Sequence, residues 1–238
     1  MMEEEFYTVY KGVYLPSSVY TPESLKYFEE FVFRPDDIIT IIYPKSGTVW
    51  MQEIVPLIMS GGDPAPVDTI VNWKRVPWLE AHQTSSLKLE QRPSPRLLTT
   101  HFHYNMMPSS FFEVKPKVIY VMRNPKDVFT SSFYHHEAAS FLDLKDAVGR
   151  MAQFLQKSLD HEAIEKIADR CLFKNMRKNN MSNYSTVPRV FMDQTKSEFL
   201  RKGIAGDWKN QLTVAEAEYF DTVYKDKMKD FQYKFAWE

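Results

Sequence analysis

Between residues 38 and 50 the chain reads Ile38-Ile39-Thr40-Ile41-Ile42-Tyr43-Pro44-Lys45-Ser46-Gly47-Thr48-Val49-Trp50, a β-branched run that stops on a lysine, two hydroxyls and one glycine. A run with so little polar alternation fits a strand buried on both faces, the kind found in parallel sheets covered by helices. Beyond the turn, Val49, Trp50, Ile54, Val55, Leu57 and Ile58 give an apolar helical stripe over Thr48 to Met59. The loop therefore presents its amides at a helix N-terminus, where backbone donors and the dipole both favour an anion. Lys-Ser-Gly-Thr is not the Walker pattern, which needs two glycines bracketing four residues ahead of the lysine. The expected ligand is phosphate-like, but not the triphosphate of an ordinary NTPase.

Two further segments, Arg96 to His101 and Lys117 to Met122, read as short buried strands, and each ends in polar chemistry. Helical patterns run over Pro125 to Ala138, Leu144 to Gln156, Asp160 to Asp169 and Val214 to Lys227. This alternation predicts an α/β fold, a single domain over residues 1–238 with a mainly parallel central sheet flanked by helices. In such sheets ligands bind outside the carboxyl ends of the strands, so the Lys45 loop, His101 and Arg123 should face one crevice. With 44% apolar and 15% aromatic residues the chain can bury a full core, and seven glycines against fourteen prolines leave little room for flexible linkers.

Arg123 stands at the tip of its strand in Arg123-Asn124-Pro125-Lys126-Asp127, with Pro125 pre-setting a helix and Ser131 two turns on. An arginine fork with a hydroxyl suits a phosphate monoester; a surface Arg123–Asp127 pair with no ligand is the bland alternative. In Arg201-Lys202-Gly203-Ile204-Ala205-Gly206-Asp207-Trp208-Lys209-Asn210 two glycines allow close backbone approach, although Arg-Lys-Gly alone is a common turn. His101, after Thr99-Thr100, is placed to take a proton near neutral pH. His103 could pair with it on a metal, but no third or fourth ligand has suitable spacing, so no metal is expected. His82, His135, His136 and His161 suggest no role. Trp50 is placed to stack on a purine with Phe173 as the facing wall, while Tyr14, Trp73, Trp78 and Tyr184 read first as core aromatics.

Thirty basic against 31 acidic residues leave no global field to recruit nucleic acid, so any anion site is local. One cysteine, Cys171, excludes an internal disulfide framework and fits a reducing compartment. The acidic Met1-Met2-Glu3-Glu4-Glu5 start and the lack of a long apolar run give the expectation of a cytoplasmic protein with no leader, lipid anchor or membrane partner.

The motifs together resemble the cytosolic sulfotransferases, which move a sulfuryl group from 3′-phosphoadenosine 5′-phosphosulfate (PAPS) to small acceptors. Tyr43 to Trp50 is similar to the family's 5′-phosphosulfate loop, with Val49 where a second threonine usually stands. Arg123 to Val128 with Ser131 resembles its 3′-phosphate element, and Arg201 to Asn210 its Arg-Lys-Gly segment, which closes over the same phosphate. The resemblance implies a P-loop-nucleotide-kinase-like sulfotransferase architecture and a metal-free in-line displacement. It implies His101 as base and Lys45 on the bridging oxygen. The donor would be held by Lys45, Ser46, Gly47, Thr48, Val49, Trp50, Arg123, Ser131, Cys171, Phe173, Arg201, Lys202 and Gly203, and the acceptor by Tyr14, Trp73, Trp78 and Tyr184. Thr99, two residues before His101, and Asn183-Tyr184-Ser185 are closer to the hydroxysteroid type, so an alcohol or steroid acceptor is favoured over a phenol or amine. Lys209 to Glu218 resembles the family's dimerisation motif, implying a homodimer.

The likeness breaks after Leu142, where Asp143-Leu144 follows directly and roughly 50 residues of the family pattern are absent. The missing part includes a core strand, so its loss should expose apolar sheet edge and weaken donor binding. Two alternatives stay open on the sequence: a sulfotransferase-like protein that binds adenosine 3′,5′-bisphosphate or a partner without turnover, and, more distantly, an NTPase or nucleotide kinase.

Overall fold

The computed structural model describes residues 7–133, 144–189, 194–195, 199–200, 206–232 and 235. A hairpin comes first: β1 (Tyr7–Tyr10) and β2 (Val13–Pro16) pair antiparallel, with Tyr10 opposite Val13. Its Lys11-Gly12 turn holds φ at 48° and 81°, the mirror-image geometry whose twist matches a tight hairpin. Helix α1 (Pro22–Glu29) starts on Thr21, whose hydroxyl accepts the Ser24 amide while Ser24 Oγ accepts the Thr21 amide.

The central strand is β3 (Ile38–Ile42), buried at every position. It lies between β4 (Leu97–Thr100) and β5 (Lys117–Val121), both parallel to it, in the order β4-β3-β5. The remaining helices are α2 (Thr48–Met59), α3 (Ala65–Thr69), α4 (Asn72–Arg75), α5 (Ser109–Val114), α6 (Pro125–Phe133), α7 (Leu144–Phe154), α8 (His161–Arg170), α9 (Phe173–Lys178) and α10 (Val214–Met228).

Alternation along β3 sorts the core into two layers. Ile38 and Ile42 join α2, Val148 and Ala152 of α7, and Ile167 of α8 on one face. Ile39 and Ile41 join Leu98 and the ring cluster of Phe28, Phe31, Phe33, Phe102 and Phe111 on the other. Each fully buried side chain of this size stabilises the fold by about 1.5–3 kcal/mol. Helix α2 is buried from Thr48 to Ile58, so its Glu53 must be matched: it pairs with Arg75 and accepts from Ser182.

The three predicted sheet strands and the helices at 48–59, 144–156, 160–169 and 214–227 all appear, with ends moved by no more than two residues. Of the helix expected from Pro125 to Ala138, residues 125–133 are helical; 134–138, with His135 and His136, lie outside the described residues, as do Leu142 and Asp143. Among the described residues no strand pairs with the outer edge of β5, where Tyr120 is 60% exposed.

Candidate active site

The loop after β3 is shaped by two left-handed residues, Lys45 at φ 67° and Gly47 at φ 123°. Only glycine occupies the second of these without strain. Ser46 donates its amide to the Tyr43 carbonyl at 3.1 Å, and Met51 closes the first turn of α2 on the Gly47 carbonyl at 3.1 Å. Ser46 Oγ is buried with no hydrogen-bond partner among the described residues, a polar atom at a helix N-terminus. Lys45 Nζ lies 4.8 Å from the centre of the Phe199 ring. Burial, and secondarily the nearby Arg123 charge, push its amine down to about 8. Arg123, at the end of β5, donates from Nη1 to the Lys45 carbonyl at 2.9 Å and so ties the two strand ends together.

His101 follows β4. Its Nδ1 lies 2.6 Å from the Ile42 carbonyl. A carbonyl only accepts, so Nδ1 carries the proton and a neutral ring keeps its lone pair on Nε2. The Trp78 ring packs 5.1 Å from the imidazole. Burial lowers the His101 pKa; the Ile42 hydrogen bond opposes that, and the Lys45 charge adds to it.

One cavity of about 730 Å³ joins these parts. Lys45, Gly47, Thr48, Val49, Trp50, His101 and Phe173 line one portion, and Tyr14, Trp73, Trp78 and Tyr184 contribute aromatic wall. Trp50 donates its Nε1 to the Cys171 carbonyl at 2.7 Å, with the Phe173 ring 6.3 Å away and tilted by 50°. Tyr14 stands on the rim, 73% exposed, whereas Tyr184 is buried against Trp73 at 5.1 Å. All four aromatics read first as core line the cavity, and Tyr184, with Trp73 packed on it, belongs to the core as well.

Other predicted residues, Ser46 among them, stand off the cavity lining. Cys171 is fully buried, its thiol pushed up to about 12 by burial, and it meets the site through its carbonyl on Trp50. Ser131 is buried on α6. Arg123 is 9% exposed, and Asp127 and Asp207 favour its charge, so these neighbours meet in a buried place and not on the surface. Asp127 also accepts the amides of Gly206, at 2.9 Å, and Trp208, at 3.4 Å, pinning the start of residues 206–210 against α6. Arg201, Lys202 and Gly203 lie outside the described residues. Among the described residues no group of three His, Cys, Asp or Glu side chains could hold a metal.

Sequence reasoning missed the Val13, Leu15 and Pro16 contribution to the cavity beside Tyr14, together with Tyr20, His82 and Glu80 around it. The hairpin had a signal, alternating Tyr-Thr-Val-Tyr and Val-Tyr-Leu-Pro around Lys-Gly. Glu80 had none, because the acceptor role of a lone carboxylate depends on which strand end it meets.

The profile of the sulfotransferase domain matches residues 35–146 and 140–232. Sulfotransferase 2B1 of Mus musculus is 36% identical over 282 aligned positions, which cover 98% of this chain and 83% of that protein. The 3-beta-hydroxysteroid sulfotransferase of Cavia porcellus is 35% identical over 280 positions, covering 96% of this chain and 97% of its own. Both alignments are longer than the 238-residue chain, so these relatives hold residues with no counterpart in it. A crystal structure of retinol dehydratase with androsterone and the inactive cofactor PAP superposes at a TM-score of 0.80 and 18% identity, covering 98% of this chain and 92% of that one. Mouse sulfotransferase SULT7A1, crystallised with PAP, gives 0.74 and 22%, covering 95% and 96%.

Proposed function

The chain belongs to the sulfotransferase family, and from that membership we propose that it transfers a sulfuryl group from PAPS to the hydroxyl of a small apolar acceptor, a hydroxysteroid or related alcohol. The observation that carries the proposal is the single cavity shared by Lys45, His101 and the aromatic wall. Among the relatives, the name of one specifies 3-beta-hydroxysteroids, and a fold neighbour was crystallised with androsterone and PAP.

The residues present fit a phosphate-bearing donor. The buried Ser46 hydroxyl has no hydrogen-bond partner among the described residues, the first-turn amides of α2 have no helical acceptor, and Lys45 is a buried cation on the same loop. Trp50 and Phe173 offer ring surface beside them for a purine. The donor supplies the sulfuryl group as a mixed anhydride. His101 Nε2 takes the acceptor's proton, and Lys45 neutralises charge on the departing phosphate oxygen. Desolvation keeps the imidazole neutral, which is the form a base needs. Electrostatic complementarity and positioning do most of the work.

The test is transfer of radiolabelled sulfate from PAPS to a 3-hydroxysteroid. Product should form with the wild type and fall by at least roughly 10²-fold in His101→Ala. Undiminished transfer in His101→Ala would overturn the assignment of the base. A second reading, donor binding without turnover, draws on the open edge of β5 and on the relatives' extra residues, whose absence here falls where the two profile matches meet, between residues 140 and 146. Calorimetric binding of adenosine 3′,5′-bisphosphate with no transfer to phenol, amine or alcohol would favour it.

A homodimer through Lys209–Glu218 belongs to the same proposal: Val214 is 75% and Tyr219 73% exposed at the start of α10. Sedimentation velocity should show Val214→Glu at half the wild-type mass, and equal masses refute it. Cytoplasmic residence is proposed from the single free cysteine.

A further inference from the structure

The sulfotransferase reading gives His101 a task but leaves open what aims its ring. The residue sits just past the end of β4, where the ladder no longer supplies an acceptor for its amide. That acceptor is Glu80 Oε1, at 2.8 Å. Glu80 arrives on Pro77–Glu80, which runs beside β4: Thr99 donates to the Pro77 carbonyl and Leu79 to the Thr99 carbonyl, each at 2.9 Å. A bridge at Trp78 and Thr99 marks this extension of the sheet. Beyond Trp78 the chain turns, with Ala81 donating to the Trp78 carbonyl at 3.1 Å, and Trp78 and Glu80 both lie against His101. Trp78 packs on the ring and Glu80 takes the backbone behind it. The Thr84 hydroxyl holds the Trp78 carbonyl, and the Phe102 amide donates to Thr100 Oγ1 at 3.0 Å, so the turn carrying His101 is held on both sides.

A fully buried carboxyl is a costly acceptor. Burial pushes Glu80 up to about 7, against the pull of the His101 amide, its own amide and the Thr100 hydroxyl. Among the described residues its Oε2 is buried without a hydrogen-bond partner. Tyr20 is the titratable neighbour that feels its charge.

We propose that Glu80 is the positioning residue of the base: its grip on the His101 amide keeps Nδ1–H on the Ile42 carbonyl and directs Nε2 into the cavity. The proposal rests on the sulfotransferase reading only in calling His101 the base; the tautomer it fixes does not depend on turnover.

The experiment follows the His101 ring nitrogens by 15N NMR in the full chain, with adenosine 3′,5′-bisphosphate affinity measured as a check on the fold. Glu80→Gln keeps a carbonyl acceptor and should keep the Nδ1–H tautomer, with kcat within about threefold of wild type. Glu80→Leu removes the acceptor; it should mix the tautomers and lower kcat about 10²-fold, as expected for a displaced catalytic group, while KM for PAPS holds. Equal tautomers in all three proteins overturn the proposal, as does Glu80→Gln losing as much as Glu80→Leu. Should Glu80→Leu not fold, hydrogen exchange of the wild-type His101 amide decides: protection supports the grip, and exchange at the rate of an exposed loop amide overturns it. If the wild type forms no sulfated product but the tautomer responds to Glu80→Leu, the activity reading fails and this one stands. If His101→Ala is inactive and Glu80→Leu is not, the reverse holds.

Discussion

The two ends of β3 both bury cations, and they treat them in opposite ways. At the amino end, Arg96 forms a bidentate pair with Asp37, Nε to Oδ1 at 2.8 Å and Nη2 to Oδ2 at 2.5 Å, over the face of Phe31 at 4.6 Å. The carboxylate also accepts the Arg34 amide at 2.7 Å. At the carboxyl end Lys45 has Arg123 for an electrostatic neighbour, and His101 feels the Lys45 charge. A buried cation matched by a carboxylate holds the fold together. At the carboxyl end Asp127 and Asp207 favour the Arg123 charge, while burial and Arg123 both disfavour that of Lys45, so the cation facing the cavity is Lys45.

The largest effect that would test this contrast is at the amino end. Asp37→Ala strands the Arg96 charge in the core and should cost about 3–5 kcal/mol of stability, read from urea midpoints. A loss below roughly 1 kcal/mol would show that the pair is not what closes that end. Lys45→Met is the counterpart. It removes a cation whose pKa burial depresses, so stability at pH 7 should hold or rise, while adenosine 3′,5′-bisphosphate affinity falls about 100-fold, the loss of a charged hydrogen-bonding contact worth on the order of 3 kcal/mol. A destabilised Lys45→Met with intact binding would reverse the comparison.

The sequence carried most of the architecture because Ile38–Ile42, the stripe of α2 and the strand-end residues obey strict periodicities. It also marked Lys45 and His101, since the topology of a parallel sheet brings the carboxyl ends of its strands together whatever their separation in sequence. What it could not show depends on contacts between segments. Tyr184 and Trp73 have the composition of core, and only their meeting across the chain makes them wall. Asp127 looked like a surface partner for Arg123; it favours that charge from a buried position, and its oxygens also accept the Gly206 and Trp208 amides, which depends on where residues 206–210 return to α6. Glu80 is the extreme case, a single carboxylate whose meaning lies in one amide 21 residues away.

A smaller effect separates the two ends by pH. Lys45 is lowered from 10.5 to about 8 in the free protein, and a bound phosphate favours its charged form. Below about 8 the amine is already protonated, so affinity for adenosine 3′,5′-bisphosphate should be level; above that it should fall by up to about tenfold per unit, about 1.4 kcal/mol, until the bound-state pKa is reached. Binding near pH 8 should also take up protons, visible as heats that depend on the buffer. The linkage for stability runs the other way. A lysine depressed on folding releases its proton more readily in the native state, so it costs stability below about 8, and that cost is relieved as pH rises toward 10.5. Affinity that stays level through pH 9 would mean that Lys45 does not meet the anion.

The smallest contrast is between two buried hydroxyls one strand apart. Thr99 Oγ1 donates to the Thr40 carbonyl at 3.2 Å in the middle of the sheet, and Ser46 Oγ has no hydrogen-bond partner among the described residues at the sheet's open end. Thr99→Val removes a made hydrogen bond and should cost about 1 kcal/mol; Ser46→Ala removes an unmade one and should leave stability equal or slightly raised. On adenosine 3′,5′-bisphosphate the order inverts: Ser46→Ala should weaken binding about fivefold, the worth of one hydrogen bond near 1 kcal/mol, and Thr99→Val should not change it. Urea midpoints at constant slope and calorimetric affinities check both halves. If Ser46→Ala destabilises the protein and binds normally, its hydroxyl belongs to the fold, and the open end of the sheet is less of a ligand site than its geometry says.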